Sequence, residues 1–251
     1  MTKPMSPKRA LPGPRDVLSR AALLLDLDGT LLDIAPTPDA VVLEPATARH
    51  LALLHKGLDG ALAVVSGRRL DDIDRILAPL RLPAAVEHGA LLRLHPDEEA
   101  RRGPLPEPLP AWRDRAQDFV DARPGMLFEP KTVGFVLHFR RAPEHGEEAR
   151  AFMESLAGEN PAFEVLQASM AWEMRPRGVD KGVGVRALMA EPPFAGRMPV
   201  FIGDDDTDKD GIAAAEALGG MGFLVPDAFG GPAEVRAWLA SLAEGLERGA
   251  G

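Results

Sequence analysis

Short apolar runs that alternate with helix-like segments dominate this sequence and restrict the folds open to it. The runs of strand length are Ala21–Leu27, Ala61–Val65, Ala84–Val86, Pro199–Ile202 and Gly222–Val225. Helical spacing of apolar residues appears between and after them, at Pro45–Lys56, from Leu70 onward, and at Lys181–Met189, Lys209–Leu218 and Pro232–Leu246. Continuous apolar strands separated by helices are typical of a parallel sheet covered on both faces. We therefore predict an α/β fold with a doubly wound, Rossmann-like parallel sheet.

The middle of the chain follows a different pattern and predicts an inserted second domain. Residues 103–110 hold four prolines, as a linker does. An α-β-β-α-β-β order follows, at Ala111–Asp121, Met126–Glu129, Thr132–Arg140, Glu144–Leu156, Phe163–Gln167 and Met170–Arg175. This order predicts a small antiparallel sheet with helices on one face. The predicted boundaries are a flexible lead-in at 1–18, a core domain at 19–104 and 180–251, and the αββαββ insert at 105–179.

Composition excludes several classes of protein. The chain has no cysteine, which rules out disulfides, thiolate metal sites and a cysteine nucleophile. Its net charge of −9 is unlike the basic balance of a nucleic-acid-binding protein, so no nucleic-acid partner is predicted. Within the first run, the continuous apolar stretch Ala21–Leu25 stops at Asp26 and is too short for a signal peptide or a membrane span. We expect a cytoplasmic protein without a membrane partner, and the oligomeric state cannot be predicted.

Acidic residues follow two of the predicted strands. Asp26 and Asp28 leave the first strand with a glycine after them, and four aspartates occupy positions 204–208 after the strand at 199–202. Ligands of open α/β sheets bind at the carboxyl ends of strands. Mg²⁺ prefers carboxylate and carbonyl oxygens. Each motif is either a solvated polar loop or a cation site, and their place at strand ends favours the cation site.

Two weaker motifs suit a phosphate group. Ser66, Gly67 and Arg68 follow the second strand and offer a hydroxyl and backbone N–H groups at a strand-to-helix turn. Lys181 opens a predicted helix and can neutralise phosphate or the aspartates. Each motif alone is common in proteins of other functions. Together with the aspartates they supply what phosphoryl transfer through an aspartyl-phosphate requires, which is a nucleophile, a cation and groups that hold phosphate.

The insert offers a second polar face. In the strand at 132–140, His138 and Arg140 alternate with apolar residues, and Glu173 alternates in the same way in the last strand. Lys131 precedes the first of these strands. This face is either a solvated sheet surface or a surface that binds sugar hydroxyls.

In this order, the motifs DLDGT, SGR, KG and GDDDTD resemble the haloacid dehalogenase (HAD) superfamily, and the insert resembles its C2B type of cap. Within the superfamily, the chain resembles the trehalose-6-phosphate phosphatase family, through those motifs and through His88-Gly89, Leu137–Arg140 and Glu173–Gly178. The resemblance implies Mg²⁺-dependent hydrolysis of a sugar phosphate.

The resemblance also implies a role for each candidate residue. Asp26 would be the nucleophile, Asp28 the acid and base, and Ser66 and Lys181 would hold phosphate. The metal ligands would be Asp26, the Asp28 carbonyl, Asp204 and Asp205, with Asp208 nearby. The substrate contacts would be Gly67, Arg68, Lys131, His138, Arg140 and Glu173. Lys209 stands where this family often has Glu.

Three functions are compatible with the residues. The first is hydrolysis of trehalose 6-phosphate. The second is hydrolysis of a related sugar phosphate, such as sucrose phosphate or a glucosyl- or mannosylglycerate phosphate. The third is a sensor that binds sugar phosphates without catalysis. The intact pair Asp26 and Asp28 favours catalysis.

Overall fold

A computed structural model describes residues 11–13, 17, 20–34 and 41–249. Contacts divide them into two compact units, the first built from residues up to Arg101 and from Asp180 onward, the second from Arg102–Val179. Of the predicted lead-in at 1–18, all but residues 11–13 and 17 lies outside the described residues. Val17 is buried in the core of the first unit, and the Pro12 carbonyl accepts a hydrogen bond from Trp238 Nε1 at 3.4 Å.

The elements are numbered in chain order. The strands are β1 Ala21–Leu25, β2 Leu62–Val65, β3 Ala84–Val86, β4 Leu91–Arg93, β5 Arg101–Arg102, β6 Leu127–Pro130, β7 Phe135–His138, β8 Phe163–Ala168, β9 Ala171–Pro176, β10 Met198–Gly203 and β11 Met221–Leu224. The α-helices are α1 Pro45–Gly57, α2 Leu70–Leu77, α3 Pro110–Asp121, α4 Gly146–Ala157, α5 Lys181–Met189, α6 Asp208–Ala217, α7 Val225–Ala228 and α8 Pro232–Gly249. Short 3₁₀ turns cover Glu87–Gly89 and Pro143–His145.

The larger sheet has the order β11-β10-β1-β2-β3-β4-β5. Its neighbours from β11 to β3 are parallel, and β4 is antiparallel to β3. The predicted α/β class and parallel sheet are therefore confirmed, while β4 and β5 are additions that the sequence analysis missed. Arg93 explains the omission of β4, because a charge interrupts its apolar pattern. That side chain is fully buried and donates to both carboxylate oxygens of Asp74 at 2.6 and 2.7 Å.

The strand order reverses next to β1, with β2 and β3 on one side and β10 and β11 on the other. Every residue of β1 is buried, and Leu25 lies opposite both Ile202 of β10 and Val64 of β2. The carboxyl ends of strands at such a reversal form the usual ligand crevice of open α/β sheets. The sheet therefore brings Asp26, Ser66 and Asp204 to one edge.

The second unit has the order αββαββ and a four-stranded antiparallel sheet in the order β6-β7-β9-β8. Phe135 and Leu137 of β7 and Met174 of β9 are buried against helices α3 and α4, whose own buried residues include Trp112 and Met153. The alternate residues of these strands form the opposite face. The predicted linker at 103–110 is held near its start by a hydrogen bond from Arg102 to the carbonyl of Leu105 at 2.8 Å.

Strand and helix bounds differ from the predicted ones mainly at their ends. The strand predicted at Thr132–Arg140 is only Phe135–His138, because the Lys131 N–H donates to the Gly134 carbonyl in a tight turn. The helix predicted from Glu144 begins instead with a 3₁₀ turn before Gly146. Within the residues that the structure describes, no helix has both the length and the apolar character needed to cross a membrane.

Candidate active site

Asp26 lies directly after β1, at the end of a fully buried strand. Its side chain is only 3% exposed, and its N–H donates to the carbonyl of Ile202 in β10. Thr30 Oγ1 donates to its Oδ2 at 3.4 Å. The strand and the loop after it therefore hold this carboxylate in one place, at the edge where the two halves of the sheet meet.

Lys181 is the buried cation that faces this carboxylate. Asp180 caps helix α5 by accepting a hydrogen bond from the N–H of Val183 at 2.8 Å, so the helix starts at Lys181. Lys181 Nζ donates to Asp26 Oδ1 at 2.8 Å and to Asp208 Oδ1 at 2.6 Å. The Lys181 ammonium thus joins the end of β1 to the loop at 204–208 after β10, called the acidic loop below, although 155 residues separate Lys181 from Asp26.

The acidic loop approaches Asp26 through a position without a side chain. Gly29 has a φ of +72°, and a Cβ atom placed on it would lie 2.0 Å from Asp204 Oδ2. A side chain there would suffer both the cost of left-handed backbone and a clash. The glycine in the DLDGT motif is therefore the reason that the Asp204 carboxylate can lie against the loop after β1.

Asp208 ties the acidic loop together from inside. It is fully buried, and its Oδ2 accepts hydrogen bonds from the N–H groups of Asp204 and Asp205 at 3.0 and 3.2 Å. Its other oxygen accepts from Lys181, as described above. Gly203 leaves room for this arrangement, since a Cβ on it would lie 2.1 Å from the Asp208 carboxyl carbon. From the sequence, Asp208 was expected only near the site, but the structure places it in the cluster with Asp26 and Asp204.

Burial and mutual repulsion raise the carboxylate pKa values of this cluster. Burial raises the pKa of Asp26 to about 6, although Lys181 opposes the shift. Burial, followed by repulsion from Asp205 and Asp208, raises the pKa of Asp204 to about 6. Burial and the Asp26 charge raise that of Asp208 to about 7. Burial would lower the pKa of the Lys181 ammonium, but Asp26 and Asp208 outweigh it and raise that pKa.

These groups are suited to hold a divalent metal. Carboxylate oxygens of Asp26, Asp204 and Asp208 lie within 4.8 Å of one another. Among the described residues, these three carboxylates are balanced by the ammonium of Lys181, so the cluster carries an excess of negative charge that a divalent cation would neutralise. All the donors are hard oxygens, which Mg²⁺ prefers. The structure therefore supports an acidic cluster that can bind a metal.

Asp28 points its carboxylate to a different partner from that of Asp26. Arg68 donates from Nε to Asp28 Oδ2 at 2.6 Å and from an Nη to Oδ1 at 2.7 Å. From the sequence, Arg68 was expected to contact the substrate and Asp28 to provide a backbone carbonyl to the metal. The side-chain pairing between the two was not predicted, because 40 residues separate them.

Ser66 and Gly67 lie at the end of β2, beside the end of β1. Ser66 is buried, and its Oγ accepts a hydrogen bond from the N–H of Arg68 at 3.2 Å. The His88 ring lies over Gly67, where a Cβ would be 2.6 Å from its Cε1 and Nε2. His88 has a left-handed backbone with a φ of 59°. The predicted phosphate loop is therefore tightly packed on the turn after β3.

Asp205 and Lys209 occupy the outer part of the acidic loop. Asp205 Oδ1 accepts hydrogen bonds from the N–H and the hydroxyl of Thr207, at 2.8 and 2.7 Å, so the structure uses this carboxylate to form a turn. The predicted metal ligand Asp205 is not in the cluster of Asp26, Asp204 and Asp208. Lys209 Nζ pairs with the exposed Asp206 at 2.5 Å.

The second unit has a polar cluster on the face of its sheet that is turned away from helices α3 and α4. Glu129 of β6 contacts Lys131 Nζ at 2.5 Å and His138 Nε2 at 2.7 Å. Burial alone would raise the pKa of Glu129, but the hydrogen bond from His138 and the charge of Lys131 outweigh it and lower it to about 2. The sequence analysis missed Glu129. Its alternation with the partly buried Phe128 in β6 was the available clue.

Glu173 and Arg140 lie at different places on the second unit. Glu173 is opposite Val136 in the β7–β9 pair, and Val136 is opposite Glu129, so Glu173 shares the face of Glu129 and His138. Arg140 lies beyond the end of β7. It is exposed and donates to the Ser169 hydroxyl at 3.1 Å, in the β8–β9 turn. The structure thus groups Lys131, His138 and Glu173 on one face, and it turns Arg140 toward the end of the sheet.

Comparison with known proteins points to one family. The profile of the trehalose-phosphatase family matches residues 24–232. The chain is 34% identical over 243 residues to the trehalose-6-phosphate phosphatase of Escherichia coli (strain K12), covering 93% of this chain and 90% of that protein. It is 37% identical over 209 residues to a probable trehalose-phosphate phosphatase of Sinorhizobium fredii, covering 83% of this chain and 78% of that protein.

A solved structure shares the fold. The C-terminal domain of the trehalose-6-phosphate phosphatase of Candida albicans superposes with a TM-score of 0.69. The match covers 90% of this chain and 92% of that one, with 23% sequence identity. At this identity the likeness concerns the fold, and it agrees with the predicted HAD-like architecture.

Proposed function

The chain belongs to the trehalose-phosphatase family, and from this premise we propose that it hydrolyses trehalose 6-phosphate to trehalose and inorganic phosphate with the help of Mg²⁺. The observation that carries the proposal is the cluster of Asp26, Lys181, Asp204 and Asp208. It combines a fixed carboxylate nucleophile with a buried cation and with carboxylates suited to a metal.

Hydrolysis proceeds in two steps on Asp26. In the first, a carboxylate oxygen of Asp26 attacks phosphorus, the bond from phosphorus to the sugar oxygen breaks, and Asp28 gives that oxygen a proton. In the second, Asp28 takes a proton from water, the water oxygen attacks phosphorus, and the bond to Asp26 breaks. The Lys181 ammonium at 2.8 Å from Asp26 holds the nucleophile and offsets charge on the transferred phosphoryl group.

The metal and phosphate contacts follow from the same cluster. Asp26 and Asp204 would hold Mg²⁺ with the Asp28 carbonyl, and Asp205 and Asp208 would support them. When bound, the ion neutralises phosphate charge during transfer. Ser66 and Gly67, at the neighbouring strand end, would hold phosphate oxygens.

We assign recognition of the sugar to the second unit. The αββαββ unit, predicted at 105–179, acts as the cap of the core at 19–104 and 180–251. Lys131, His138 and Glu173 share one polar face, which supports a role in binding sugar hydroxyls, and Arg140 extends the set at the end of the sheet. The cytoplasmic location and the lack of nucleic-acid and membrane partners stay predictions from the sequence.

The test is phosphate release from a panel of sugar phosphates, with and without Mg²⁺. We expect trehalose 6-phosphate to be turned over best, only with the metal, and Asp26→Asn to abolish the reaction. Asp206→Asn, which changes an exposed aspartate of the same acidic loop, is the matched control and should keep activity. Better turnover of sucrose phosphate, or of a glucosyl- or mannosylglycerate phosphate, would mean that this compound and not trehalose 6-phosphate is the substrate. Binding without release of phosphate from any of them would favour a sensor.

A further inference from the structure

We propose that Arg68 is a positioning residue for Asp28. The inference rests on the proposed function, in which Asp28 is the acid and the base, and it revises the expectation that Arg68 contacts the substrate. Two parallel hydrogen bonds carry it, from Nε to Oδ2 at 2.6 Å and from an Nη to Oδ1 at 2.7 Å. A guanidinium engaging both carboxylate oxygens in this way fixes the orientation of the carboxylate as well as its place.

The guanidinium is itself held by a rigid backbone. The N–H of Arg68 donates to Ser66 Oγ at 3.2 Å, and its carbonyl accepts from the N–H of Glu87 at 3.2 Å. The turn that supplies Glu87 is fixed in turn by the bond from the His88 N–H to the Ser66 carbonyl at 3.1 Å. The backbone around Arg68 is therefore held by hydrogen bonds on both sides. This limits the movement of the Arg68 side chain and of the Asp28 carboxylate that it binds.

Exposure shows why Asp28 needs such support. The Asp28 side chain is 42% exposed and the Arg68 side chain 13% exposed. An aspartate this open to solvent would otherwise sample several rotamers, and ordering it costs free energy at every turnover. The two hydrogen bonds from Arg68 set the direction of the carboxylate, while the exposed part of Asp28 stays accessible to substrate and water.

A lysine at this position could not hold both oxygens of the Asp28 carboxylate. Its ammonium is a point charge on a flexible stem, whereas the planar guanidinium matches both oxygens at once. If Arg68 served only to add positive charge near phosphate, lysine would replace it well. If it sets the direction of Asp28, lysine would restore only part of the lost rate.

A double-mutant cycle distinguishes positioning of Asp28 from direct contact with the substrate. The variants are Arg68→Ala, Asp28→Asn and both together, assayed with Mg²⁺ and trehalose 6-phosphate. We expect Arg68→Ala to lower kcat by about tenfold or more, since general acid and base help contributes about 10²–10⁴-fold. In the Asp28→Asn background the same change should cost less than about twofold, because the group on which Arg68 acts is already lost. KM should change little in either background.

Two further variants complete the experiment. Arg69→Ala, the neighbouring arginine with 43% of its side chain exposed, is the matched control and should keep the wild-type kcat. Arg68→Lys should retain only part of the rate. If thermal denaturation shows that Arg68→Ala does not fold, Arg68→Lys takes its place in the double-mutant cycle. A wild-type kcat for Arg68→Lys would then overturn the inference.

The outcomes separate the inference from the proposed function. Losses that multiply in the double variant, or a large rise of KM in Arg68→Ala, would mean that Arg68 acts on the substrate, and only the inference would fall. An Asp28→Asn variant as active as the wild type would refute the proposed role of Asp28 and the inference with it. A wild-type protein that releases no phosphate would refute the proposed function itself.

Discussion

Replacement of Gly29 by alanine tests whether the acidic loop lies against the loop after β1 in the working protein. The added Cβ would stand 2.0 Å from Asp204 Oδ2. Carbon–oxygen contacts of even the close kind begin at about 3.3 Å, so the Asp204 carboxylate would have to move by about 1 Å or more. The φ of +72° adds a backbone cost of about 1–2 kcal/mol for any residue with a Cβ.

The two effects can be separated by a second glycine. Gly219 has a φ of +79°, and among the described residues none beyond its chain neighbours lies within 4 Å of a Cβ placed there, so Gly219→Ala suffers the backbone cost alone. Both variants should lose about 1–2 kcal/mol of unfolding free energy from the left-handed backbone. The Gly29 variant should lose more, and only it should disturb Asp204.

The assay is Mg²⁺-dependent phosphate release from trehalose 6-phosphate. A displacement of about 1 Å at a catalytic group costs about 10²-fold. We therefore expect kcat/KM of Gly29→Ala to fall by about 10²-fold and its requirement for Mg²⁺ to rise, while Gly219→Ala stays near the wild type. Full activity of Gly29→Ala at the ordinary Mg²⁺ concentration would refute the close approach of Gly29 and Asp204, and with it the geometry of the proposed metal site.

Three other predictions concern the two units separately. Glu173→Ala should raise KM for trehalose 6-phosphate and spare hydrolysis of a small aryl phosphate, with the exposed Glu147→Ala as control; equal losses on both substrates would make Glu173 structural. The folded-state pKa of Glu129, about 2, is below its ordinary 4.5, so its contribution to stability is present above about pH 4.5 and is lost as the pH falls toward 2. Denaturation of Glu129→Gln should lack this part of the acid sensitivity, and an unchanged pH profile would contradict it. Asp74→Asn should lower the unfolding free energy by about 2–4 kcal/mol, because it leaves the buried Arg93 without its counter-charge, while the exposed Asp71→Asn should change it little. Equal denaturation midpoints for the two would show that the pair adds nothing.

The main elements of the fold could be predicted because their causes are local. The apolar run before Asp26 and the run before Asp204 specify buried parallel strands, and the rule for strand ends then places both acids at one edge. Alternation in β7 and β9 likewise predicted which face of the second unit is polar. The strands β4 and β5 escaped prediction because they are short and charged, and the partner that buries Arg93 lies on helix α2.

The pairing within the site could not be predicted in the same way. Asp208 and Asp205 are equivalent in sequence, two acids in one run, yet one is buried on Lys181 and the other forms a turn with Thr207. The difference arises from the absence of a side chain at Gly203 and from the start of helix α5, which are tertiary facts. Arg68 looked like a ligand for phosphate for the same reason. Its charge was visible in the sequence, but its partner Asp28 was not.

The central place of β1 has a consequence for synthesis of the chain. β2 follows β1 closely in the chain and can pair with one of its edges early, but the other edge of β1 must wait for β10. All the residues of the second unit leave the ribosome in between, and that unit has its whole sheet before β10 exists. The nascent chain therefore holds an apolar strand with one open edge until β10 has been made, and the cluster of Asp26, Lys181, Asp204 and Asp208 can form only after the second unit.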